Sequence, residues 1–97
     1  MSNAFGQELR RLRQLSGLTI GELANHANFS EQYISQIEIG SNMPPPPDRV
    51  TLLAHLIGCD QRQLGSLQIL AARQRGQVTV KTDKLSDLVL TWLFRQT

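Results

Sequence analysis

Apolar positions recur along this chain in steps of three and four, the signature of helices with one buried face. The first set is Phe5, Leu9, Leu12 and Leu15, and Gly17 is placed to end that helix. Thr19-Ile20-Gly21-Glu22 fits a capping box, so a second helix starts there, with Leu23, Ala24 and Ala27 inward. Asn28 tolerates positive φ and suits a sharp turn. Ser30 is a good N-cap for a third helix. In it Ile34 and Ile37 face inward, Tyr33 lies at the boundary, and Glu31, Gln32, Ser35 and Gln36 face outward, up to Gly40. The run SNMPPPP at 41–47 predicts a non-helical connection, and Asp48 is expected to cap a fourth helix through Val50, Leu53, Ala54 and Ile57, ending at Gly58. Asp60 is expected to cap a fifth helix through Leu64, Leu67, Leu70 and Ala71, finishing near Gly76.

Beyond Gly76 the pattern changes. Residues 77–82, QVTVKT, alternate like a short strand, and residues 85–94, LSDLVLTWLF, read as a last helix. That helix is apolar over more than half its circumference, which a lone terminal helix would struggle to bury, so a dimer interface is expected, with docking on its own domain as the alternative. Val78, Val80, Leu88, Val89, Trp92 and Leu93 are therefore the expected dimer contacts. The expected organisation is a domain at 1–76 and a strand and helix extension at 77–97. Met1 to Asn3 are given no weight.

Composition narrows the class. A hydrophobic fraction of 40% over 97 residues suits one small soluble domain. No apolar run approaches the length needed to span a bilayer, and residues 1–11 lack the apolar core of a signal peptide, so a cytoplasmic protein is expected. A single cysteine, Cys59, excludes an internal disulfide. The net charge of +2 says little by itself, but its distribution does. Arg10, Arg11 and Arg13 against Glu8 make the first segment basic. Residues 14–48 hold Glu22, Glu31, Glu38 and Asp48 with no Lys or Arg, and the later residues are basic again.

A short helix, a tight turn and a second short helix with small inner residues read as a helix-turn-helix. Ala24 is the small residue a steep helix crossing needs. The motifs Leu9-Arg10-x-Leu12-Arg13, Gly17-Leu18-Thr19, Glu22-Leu23-Ala24, Tyr33-Ile34-Ser35, Ile37-Glu38-x-Gly40 and Leu53-Ala54-His55-Leu56-Ile57-Gly58, with the proline-bearing loop before the last, follow in order. Over residues 5–64 the chain resembles the phage repressor and Cro family, the Xre-type helix-turn-helix proteins. That resemblance implies an all-α, five-helix, lambda-repressor-like domain whose third helix enters the major groove of double-stranded DNA. It also implies a homodimer on two half-sites and a transcriptional regulator, repression being the commoner mode.

Carried onto this sequence, the resemblance makes Glu31, Gln32 and Gln36 the base readers, with Ser30, Tyr33 and Ser35 beside them. Thr19, Asn25, Ser41 and Asn42 fall where the family contacts phosphates, with Arg10, Arg11 and Arg49 as compensating charges. Arg13 and Glu38 are expected to pair in a structural role, beside Ala24, Asn28, Ile34 and Ile37. Ile20, Ile39 and Asn28 depart from the family pattern. Together with the acidic middle segment, the first two weaken phosphate affinity. The alternative is an antitoxin- or adaptor-like protein-interaction module that keeps the fold with little or no DNA binding. His26, His55, Cys59 and Asp60 do not supply a four-ligand set for structural zinc, and Cys59 is expected as a buried small hydrophobe. No nucleophile elbow or phosphate loop appears, so neither an enzyme nor a cofactor is expected. Arg73 and Arg75 suit the end of the fifth helix.

Overall fold

The computed structural model describes residues 3–76, and over them the chain is all-helical: α1 (Ala4–Leu15), α2 (Ile20–Ala27), α3 (Glu31–Ile39), α4 (Pro47–Ile57) and α5 (Gln61–Gln74). The strand and last helix expected at 77–82 and 85–94, with their dimer contacts, lie outside the described residues. One core joins the five helices. Phe5, Leu9, Leu23, Ile34, Ile37, Val50, Leu53 and Leu67 are fully buried in it. The principal packings are α4 on α5, α1 on α3 and α5, and α2 on α3 and α4.

Leu15 does not join this core. It is 71% exposed. At about 100° per residue, Phe5, Gly6, Leu9, Leu12 and Arg13 share an arc of about 120°, whereas Leu15 lies about 60° outside it. Steps of four and three stay on one face only while they alternate, and two threes in succession walk off it.

The crossing of α1 and α3 is close because Gly6 has no side chain. A Cβ there would overlap the carbonyl oxygens of Ile37 and Glu38. Asn3, which carried no weight in the sequence, reaches the same place. Its Nδ2 donates to Glu38 O at 2.8 Å, and it stands at the N-cap position of α1 without a side-chain cap bond. Next to this crossing Arg13 and Glu38 form a buried ion pair. Arg13 Nε donates to Glu38 Oε2 at 2.6 Å and Nη2 to Oε1 at 3.0 Å. The third guanidinium nitrogen donates to Leu18 O at 2.8 Å. The pair therefore ties α1, the loop before α2 and the end of α3 together.

Helix four begins earlier than expected. Its cap is Pro46, Pro47 is its first residue, and Asp48 sits within the first turn and makes no cap bond. The fixed φ of proline is already helical, and its missing N–H is one that a first turn would leave unpaired. Pro46 O accepts from Arg49 N and Val50 N, both at 3.0 Å. Pro44 and Pro45 are buried, so the connection is packed against the domain. Helix five is capped by a reciprocal Asp60–Gln63 box. Its far end is fastened by Phe5 N–H donating to Gln74 Oε1 at 3.2 Å and by Arg75 donating to Pro45 O.

Candidate nucleic-acid interface

Helices α2 and α3 meet through a turn of three residues, Asn28, Phe29 and Ser30. Asn28 takes φ 60 and ψ 40, the left-handed conformation. This lets Phe29 N–H return to Ala24 O at 2.9 Å and Asn28 N–H to Asn25 O at 3.3 Å, the paired closure of a Schellman end. Ser30 then accepts from Tyr33 N–H at 3.1 Å and starts α3. Leu23, Ala24 and Ala27 face Ile34 and Ile37 in the core, leaving one side of α3 open.

That open side carries Glu31 and Gln32 exposed, with Tyr33, Ser35 and Gln36 half-buried. The Glu31 carboxylate leans back over the first turn of α2, its Oε1 3.3 Å from where a Cβ on Gly21 would stand. An acid is favourable against the positive end of a helix. Thr19 closes the same end. Its hydroxyl oxygen accepts from Glu22 N–H at 3.0 Å, and Glu22 Oε1 accepts from Thr19 N–H at 2.9 Å. The hydrogen bond from the Thr19 backbone, then that with its side chain, holds the Glu22 carboxyl below its usual range. Two carboxylates thus share the start of α2.

Beyond α3 the chain folds back. Gln36 O accepts from Gly40 N–H and Ser41 N–H at 3.0 Å and from Asn42 N–H at 3.2 Å. The Ser41 hydroxyl reaches it at 3.4 Å. The side chains meet as well, with Asn42 Nδ2 donating to Gln36 Oε1 at 2.8 Å. At the turn between α2 and α3, Phe29 and Tyr33 pack edge to face at 5.1 Å. The Arg49 guanidinium from α4 lies 5.3 Å above the Phe29 ring, a cation–π contact. Asn25 and Arg10 are exposed on α2 and α1. Arg11 is engaged by Glu8 at 2.6 Å. Ile39, at the end of α3, is 64% exposed.

A sequence profile described as a helix-turn-helix domain matches residues 4–67. The chain belongs to the helix-turn-helix family. Two curated helix-turn-helix relatives come from Bacillus subtilis (strain 168). The chain is 40% identical over 53 residues to one named as the uncharacterized HTH-type transcriptional regulator RghRB, covering 55% of this chain and 38% of that protein. It is 37% identical over 54 residues to the HTH-type transcriptional repressor RghR, covering 56% of this chain and 40% of that protein. The chain thus spans about two fifths of the length of these relatives. No solved structure matches it.

Sequence reasoning did not find three features of this helix-turn-helix unit: the Gln36–Asn42 contact, the stacking of Arg49 on Phe29, and the lean of Glu31 over α2. Only the six-residue spacing across Gly40 hinted at the first, and nothing local signals the others. Among the described residues no group of three or more His, Cys, Asp or Glu side chains is placed to hold a metal ion. None of the described helices is long and apolar enough to cross a membrane. Cys59 is half-buried at the rim of a shallow cavity also lined by Leu12, Leu15 and Ile57, not sealed in the core as expected. Its neighbour Gly58 has turned the chain out of α4. Burial, then the nearby Asp60 and Glu8 charges, pushes its thiol pKa up, so it stays protonated at neutral pH.

Proposed function

We propose that residues 1–76 are the DNA-binding domain of a cytoplasmic transcriptional repressor that docks α3 in the major groove. In this reading Gln32, Gln36 and Glu31 meet base edges, with Ser30, Tyr33 and Ser35 around them. Thr19, Asn25, Ser41, Arg10 and Arg49 lie along the backbone, and Asn42 stands behind Gln36. The observation that carries the reading is the exposed polar side of α3, held on a buried apolar side by Ile34 and Ile37. The names of the two relatives support the regulatory role. The protein works as a homodimer on a palindromic operator, with residues 77–97 supplying the contact through Val78, Val80, Leu88, Val89, Trp92 and Leu93. No cofactor or catalytic step enters this reading.

Selection from random duplexes, followed by anisotropy titration, tests it. The wild-type protein enriches a two-fold site, and Gln36→Ala loses about 1–3 kcal/mol on that site but not on random duplex. Equal loss on every sequence would move Gln36 to the DNA backbone. If no duplex is enriched, the reading fails.

A second reading, an interaction module with a protein partner, is favoured by one observation. Glu22 and Glu31 both stand at the start of α2, within a segment that holds no Lys or Arg. A salt titration on random duplex separates the two. Release of several counterions supports DNA binding, and a slope near zero supports the protein partner.

A further inference from the structure

The bond between Asn42 and Gln36 has a consequence for specificity, given the DNA reading above on which it rests. A glutamine side chain has three rotatable bonds, and its last torsion is broad and roughly two-fold, so the amide oxygen and nitrogen exchange places readily. An unrestrained Gln36 would therefore offer a donor or an acceptor almost equally. In this structure its Oε1 is already engaged by Asn42 Nδ2 at 2.8 Å. The backbone of Asn42 is itself held. Its own N–H and those of Gly40 and Ser41 converge on Gln36 O, and the next residues, Pro44 and Pro45, are buried. The partner that fixes the glutamine is thus mounted on the same helix end as the glutamine.

We infer that Asn42 is a positioning residue for sequence readout: its amide ties down that of Gln36, and in the bond as it stands Nε2, with two N–H donors, is the group offered to a base. The chemistry then favours a groove edge that accepts, such as a purine N7, and disfavours the cytosine N4 amino group. Asn42 acts through Gln36 and needs no contact of its own with a phosphate.

Binding of the full chain to a selected site and its single-base variants tests this. The base pair read by Gln36 is the one where Gln36→Ala flattens the preference. Asn42→Ala is expected to weaken the selected site about 2- to 12-fold, the range for ordering one long side chain. It should flatten preference at that same base pair and leave random duplex unchanged. The double variant should bind no worse than Gln36→Ala alone. Asn42→Asp, which only accepts, should turn Gln36 around and shift the preference toward bases with an amino donor. Thermal melting shows that each variant is folded. Uniform loss on all sequences, or additive losses in the double variant, would overturn the inference while leaving the DNA reading intact. A wild-type protein that enriches no duplex defeats the DNA reading, and the inference with it.

Discussion

Arg13 and Glu38 show how one contact can matter to the whole domain. Both side chains are about 95% removed from solvent, and the geometry is bidentate. Leaving one of them buried without its partner is costly, about 3–5 kcal/mol. Arg13→Ala and Glu38→Ala should each lose about that much in urea denaturation. Arg13→Met with Glu38→Leu should recover most of it, because two well-packed apolar side chains need no counter-charge. A double variant as unstable as either single one would show that the shape of the site, not the charge, is at stake. Gly6 is a separate case. The sequence gives no sign that the carbonyls of α3 approach it, because the approach depends on how two helices cross and not on any neighbour in the chain.

The starts of α2, α3 and α5 were readable because capping is a local affair. Thr19 with Glu22, Ser30 with Tyr33 and Asp60 with Gln63 all act over three residues. The start of α4 was misread because Asp48 has the right side chain, whereas Pro47 has the backbone already set. The turn between α2 and α3 makes a sharper test. Asn28 stands in the left-handed region, which costs other L-residues about 1–2 kcal/mol. Asn28→Val should lower stability by about that amount, and Asn28→Gly should not lower it. Equal losses in chemical denaturation would mean that the Asn28 side chain, and not its backbone angle, holds the turn.

At the scale of the molecule, one core of five helices holds α2 and α3 rigid, with α1 locked beneath α3 and the end of α5 fastened to Phe5 and Pro45. If residues 77–97 build the dimer, truncation after Gly76 should leave the helical domain folded by circular dichroism but monomeric by sedimentation. A truncated chain that still sediments as a dimer would place the contact on residues 1–76, where Leu15, Ile39, Met43, Leu52 and Ile69 are exposed apolar candidates. The sequence by itself determined the five helices, the caps of α2, α3 and α5 and which side of α3 stays polar, since spacing and capping act between residues close in the chain. Only the tertiary structure decided that Gln36 is clasped by Asn42, that Arg49 lies on Phe29 and that Glu31 leans over α2. Each of these depends on the angle at which separate helices meet, or on how a turn folds back, and a periodic pattern of apolar residues does not encode either.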